Sequence, residues 1–203
     1  MNKENIIAGL VGLVIGIFIT PFFAPAMPMM WGNRMMNWNS KIVDNRLNQI
    51  DGHFIEEMIP HHEDAITMAD LALVKAEHPE IKKLAKDVIK TQSEEIIQMK
   101  AWYKEWFNDD VPDVSNSMGH GMNMMMHGGM MGDATDLENL ETSKPFDKAF
   151  IEEMIPHHQM AVMMAQMLSN ATNRSEMKEL TENIISAQTK EINQMRNWYR
   201  SWY

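Results

Sequence analysis

No cysteine occurs in the 203 residues. Without thiols there is no disulfide staple, no thiolate metal site and no cysteine nucleophile, so any soft-metal chemistry falls to thioether and imidazole. An oxidising compartment fits that choice. Clustered lysine and arginine are missing too: 18 basic against 28 acidic residues leave a formal net charge of -10. That argues against nucleic acid as a partner, since phosphate binding needs grouped cations. No segment reads as a strand. Against these absences stand an apolar fraction of 45%, ordinary for a globular chain, and an excess of methionine, 23 residues.

One stretch occurs twice. Phe54-Ile-Glu-Glu-Met-Ile-Pro-His-His62 returns letter for letter as Phe150 to His158, ninety-six residues on. At that offset residues 51–107 lie over 147–203 without gaps, and about 25 of the 57 pairs are identical, which marks a duplicated unit. The identities gather in two places. Asp51, the Phe54 to His62 run, Ala65, Met68 and Ala69 form the first; Ile89, Gln92, Glu95, Ile96, Gln98, Met99, Trp102, Tyr103 and Trp106 form the second.

Ahead of the repeats, Ile6 to Thr20 is uncharged and apolar, and Pro21 to Ala26 extends the run to about the length that spans a bilayer. With Lys3 as a thin positive start, residues 1–26 read as a signal peptide or a membrane anchor, and Ala24-Pro25-Ala26 resembles a cleavage site. Membrane contact is then through residues 6–26 if they stay uncleaved. The remainder is expected in the periplasm or another extracytoplasmic space. Residues 27–43 form a Met-rich spacer, with Met27, Met29, Met30, Met35 and Met36 beside Trp31 and Trp38. It reads either as a flexible tether or as a metal-gathering segment.

Residues 44–107 and 146–203 are each expected to form a helical hairpin. From Phe54 to Leu73 the apolar rows at 54, 58, 61, 65, 68, 72 and at 55, 59, 62, 66, 69, 73 make one wide helix face. Glu56, Glu57, Glu63, Asp64, Thr67 and Asp70 then point outward into solvent. Pro79 suits a first helical turn, and Asn173 with Glu176 is expected to cap the corresponding helix of the second unit. Four helices, short turns within hairpins and a long crossover, 108–145, describe an all-α four-helix bundle of two duplicated hairpins. Trp102 with Trp106 and Trp198 with Trp202 are expected to pack at the bundle ends.

The chemistry lies on the inward rows. Helical spacing lets Met58, His61, His62 and Met68 meet a common centre with Met154, His157, His158 and Met164 of the other unit. Pro60 and Pro156 stand beside the histidine pairs, where each either kinks a helix or begins one. Two readings of the histidines are available: core residues hydrogen-bonded to Glu95 and Glu191, or metal ligands oriented by those carboxylates. In the crossover, Met118, His120, Met122, Met124, Met125, Met126, His127, Met130 and Met131 crowd a Gly-loosened stretch that is expected to be flexible and is a second candidate metal site. Thioether favours Cu(I), and imidazole accepts Cu(I) or Cu(II). The shortage of inward carboxylates and the lack of a Glu-x-x-His motif disfavour calcium, magnesium and a carboxylate-bridged iron pair. Copper fits best.

The pattern Phe-x-x-x-Met-Ile-Pro-His-His-x-x-Ala-x-x-Met-Ala, at Phe54 to Ala69 and Phe150 to Ala165, resembles the family catalogued as domain of unknown function 305. The resemblance implies a ferritin-like bundle. It also implies that Met58, His61, His62 and Met68, with Met154, His157, His158 and Met164, are its signature residues. The apolar start and the Met/His-rich crossover look like the periplasmic copper-binding, CopM-type members, which implies copper binding and resistance.

The reading is an exported copper-binding protein, not an enzyme, that sequesters copper or passes it to a transfer partner in the envelope. Its rivals are a redox enzyme that oxidises Cu(I) at the paired histidines, and a metal-free helical scaffold in the cell envelope.

Overall fold

The structure, a computed structural model, describes residues 32–112 and 134–203, with side chains described over 49–112 and 137–203. The chain divides into residues 1–38 and 39–203, and the bundle belongs to the second unit. The expectations placed on residues 1–26 and on Met118 to Met131 fall outside the described residues. Among those described, no helix is long and apolar enough to cross a membrane.

Five helices and no strand appear among the described residues: α1 Gly32–Lys75, α2 Pro79–Phe107, α3 Ala134–Thr142, α4 Phe146–Ala171 and α5 Ser175–Trp202. The four long ones form the expected ferritin-like four-helix bundle of two hairpins. α2 opens at Pro79, whose missing N–H costs nothing in a first turn, and closes at Asn108 in the left-handed conformation (φ 55°) with its N–H on the Lys104 carbonyl. Pro60 and Pro156 both lie inside helices that pass through them, so neither proline begins a helix.

Packing shows how the helices run. One apolar cluster joins Ala65 to Ala72 of α1 and Ala76 just after it, Ile81 to Val88 of α2, Phe146 to Met154 of α4 and Met195 of α5. The other joins Phe54 to Ile59, Ile96 to Tyr103, Ala161 to Leu168 and Met177 to Ile184. The late part of α1 therefore meets the early part of α4, and the two helices are antiparallel. By the same packing α2 and α4 run parallel. α3 precedes α4, with its Leu140 buried in the first cluster while Lys75 binds Glu141.

The duplication produces a reciprocal clasp that the sequence reading did not contain. Asp147, at the start of α4, accepts the backbone N–H groups of Glu77 and His78 in the α1–α2 turn at 3.0 and 2.8 Å and contacts the His78 ring at 2.6 Å. Trp202 stacks on that ring at 3.7 Å. Ninety-six residues earlier, Asp51 meets Thr172 and Arg174 in the α4–α5 turn, and Trp106 carries the Arg174 guanidinium 4.0 Å from its ring. Each unit thus ties down the other's hairpin turn. This replaces the expected Asn173/Glu176 cap: the N-cap of α5 is Arg174, which makes no side-chain cap bond. The tryptophans do sit at bundle ends, but two of them are part of the clasp.

Candidate metal site

Between the two apolar clusters lies a polar layer. His61, His62, His157 and His158 occupy the inward faces of α1 and α4, each no more than 5% exposed. They fall there because residues 54, 58, 61, 65 and 68 share a face, so the histidines replace apolar residues in the middle of an otherwise apolar stripe.

Within the layer the two units do the same thing. His62 Nε2 lies 2.7 Å from Glu95 Oε2, and His158 Nε2 lies 2.8 Å from Glu191 Oε2. The other two histidines meet each other: the rings of His61 and His157 are 3.8 Å apart between centroids and inclined by 43°. The pseudo-twofold axis of the duplication passes between them. Neither nitrogen of either ring makes a hydrogen bond of good geometry; each ring has only a weak approach to the backbone of the facing histidine. A buried polar group left in that condition costs about 1–3 kcal/mol, and here four are placed together.

The environment keeps this pair uncharged. Burial, above all, holds His61 well below the usual histidine value, and the neighbouring imidazoles add to it; the facing backbone acts weakly in the other direction. The same causes bring His157 down to about 3. A neutral imidazole with a free nitrogen is the form that binds metal.

Across the layer, α2 and α5 contribute Gln92 with Glu95 and Gln188 with Glu191, which line a void of about 10 Å³. That is room for one water at most. Both glutamines are buried, and their Oε1 atoms lack partners. The repeat marked Gln92 and Glu95 as positions shared by both units but gave the glutamines no role.

The methionines are distributed differently from the histidines. Met58 is fully buried in the second apolar cluster, against which Met164 packs; Met154 and Met68 belong to the first. The structure brings the four histidines together and divides the four methionines two to each side of them. Among the described residues no three of His, Asp, Glu or Cys converge as a ready-made metal cluster.

A further pair was missed. Glu56, expected to be a solvated outward residue, accepts the Tyr103 hydroxyl at 2.6 Å, and Glu152 accepts that of Tyr199 at 2.6 Å. Both pairs survive the ninety-six-residue offset, a signal that was present in the sequence. They lie one turn before the prolines, on the residues whose carbonyls those prolines leave unpaired.

A sequence model of the family described as Domain of unknown function (DUF305) matches residues 51–199. Among solved structures, the chain is similar to CopM in the Cu(II)-bound form, at 51% identity and a TM-score of 0.66 over 75% of this chain and 97% of that one. It is similar to CopM in the Cu(I)-bound form at 49% identity and 0.64, with the same coverage. A DUF305 fragment from Deinococcus radiodurans is 25% identical with a TM-score of 0.63, over 75% of this chain and 96% of that one. An uncharacterized protein, L153, of Acanthamoeba polyphaga mimivirus is 41% identical over 51 residues, and the match spans 25% of this chain and 34% of that protein.

Proposed function

Because the chain belongs to the DUF305 family and buries a neutral, partnerless imidazole pair at its centre, we propose that it is a copper-binding protein that sequesters copper or hands it on. The observation that carries the reading is the set of unpaired nitrogens on His61 and His157. In each neutral ring the nitrogen that carries no proton offers its lone pair to a metal without first being deprotonated, and copper accepts imidazole in both its oxidation states. Met58 and Met154 stand one helical turn before them, so thioether is within a turn of the rings along each helix. Glu95 and Glu191 hold His62 and His158 in fixed orientation. Over the three quarters of this chain that match it, the sequence is about half identical to CopM, a protein solved with Cu(I), Cu(II) and silver bound.

The rest of the proposal concerns parts of the chain outside the bundle. Residues 1–26 export the protein or tether it to a membrane, and Met118 to Met131 collect soft ions for delivery to the histidine layer or to a transfer protein in the envelope. Burial of His61 and His157 favours holding copper over turning a substrate over, since an oxidising centre needs an open position.

Titration of the full chain with Cu(I) under reducing conditions, Cu(II) under oxidising ones and zinc tests this. A variant with His61, His62, His157 and His158 all replaced by glutamine, and another lacking residues 118–131, run beside it. Copper preferred over zinc, with capacity reduced in the histidine variant, is the expected result. Equal affinity for zinc, or undiminished copper binding without the histidines, would return those residues to core packing.

A further inference from the structure

α4 carries a second methionine array that the duplication does not account for. Met160, Met163, Met164 and Met167 follow one another at i, i+3, i+4 and i+7, which a helix gathers onto one stripe. At the corresponding positions of α1 stand Asp64, Thr67, Met68 and Leu71, so three of the four thioethers occur in one repeat alone. The stripe climbs out of the core. Met164 packs against the second apolar cluster, Met160 is half-buried, and Met163 and Met167 are 43% and 67% exposed.

Such exposure returns nothing hydrophobic to the fold. The outward neighbours on this helix, Gln159, Gln166 and Asn170, show what a solvated position ordinarily holds. Thioether differs from other apolar groups in one respect that matters at a surface: its sulfur is a soft, uncharged ligand. Three rotatable bonds let side chains one turn apart bring their sulfurs to one point without moving the backbone. Lone-pair donation from sulfur needs no deprotonation, and the net charge of -10 favours an arriving cation.

We propose that Met160, Met163, Met164 and Met167 form a surface site on α4 for one soft monovalent cation, Cu(I) or its analogue Ag(I), separate from the buried histidines. The site rests on the reading of this protein as one that handles copper, and adds a place where an ion binds from solvent without any opening of the bundle. It has no counterpart on α1, so the two halves of the molecule are unequal in metal capacity.

The test uses the full chain labelled at methionine methyl groups, titrated with Ag(I) as a redox-inert probe and followed by NMR, with a Met163→Leu/Met167→Leu variant alongside. Leucine keeps the helix and its apolar character. The four methyl signals of the stripe are expected to shift together, and the variant to bind one equivalent less and lose at least tenfold in affinity at Met160 and Met164. Silence of the four signals while other methionines or histidines respond would overturn the surface site and leave the copper reading standing. Unchanged stoichiometry in the variant would overturn it equally. No response anywhere in the chain would remove both.

Discussion

Two histidines in contact at the centre of a helical bundle have opposed consequences for stability and for binding. Burial keeps His61 well below the usual value and His157 at about 3, so as pH falls below about 6.5 the unfolded chain takes up protons that the folded chain does not. The metal-free protein should therefore be indifferent to pH above that value on account of these groups, and lose about 1.4 kcal/mol per pH unit for each histidine below it. The loss ends for His157 where that ring protonates in the fold, near pH 3. Urea unfolding midpoints that stay level from neutrality down to pH ~5 would contradict this. The same pair makes a second prediction. Replacing both by leucine removes four unsatisfied nitrogens, so His61→Leu/His157→Leu should stabilise the metal-free protein by about 1–3 kcal/mol while lowering its copper capacity. A destabilised double variant would mean that the rings contribute packing that leucine cannot reproduce.

Prolines and turns set the behaviour of whole helices. Pro60 and Pro156 each take one rung from the hydrogen-bond ladder immediately before a histidine pair. Pro60→Ala and Pro156→Ala should raise thermal stability, each by about 1–3 kcal/mol, and slow copper uptake, because a complete ladder opens less readily. Calorimetry and stopped-flow mixing measure the two effects; faster uptake in the alanine variants would dismiss the prolines as a point of opening. The clasp is an element-scale device as well. Asp147 is buried and holds the backbone of a turn seventy residues away in sequence. Asp147→Ala should cost about 2–4 kcal/mol in urea unfolding, since the loss leaves two partly buried backbone donors without their acceptor. A cost below about 0.5 kcal/mol, typical of surface positions, would show the turn to be held by Trp202 instead.

At the scale of the molecule, the ninety-six-residue repeat made the fold readable: it supplied two equal hairpins, and the apolar rows supplied their inward faces. Spacing alone also brought His61 and His62 inward with His157 and His158. What it could not supply was which ring meets which. That depends on the antiparallel docking of α1 on α4, a long-range arrangement in which the residue just after each proline falls on the symmetry axis and the next one turns toward its own hairpin's glutamate. For the same reason Met58 and Met68, ten residues apart on one face, end in different apolar clusters, although spacing allowed them a shared centre. The clasp was out of reach because its partners come from opposite units, and no local period joins Asp147 to the turn at Glu77. The measurement that bears most directly on the central claim is imidazole nitrogen NMR of the full chain, labelled at histidine, as Cu(I) is added. The account predicts that ring nitrogens of His61 and His157 shift on binding and that His61→Leu/His157→Leu takes up less Cu(I). If those nitrogens stay where they are while the chain takes up copper elsewhere, the buried pair is a structural core and the bundle is not where the metal is held.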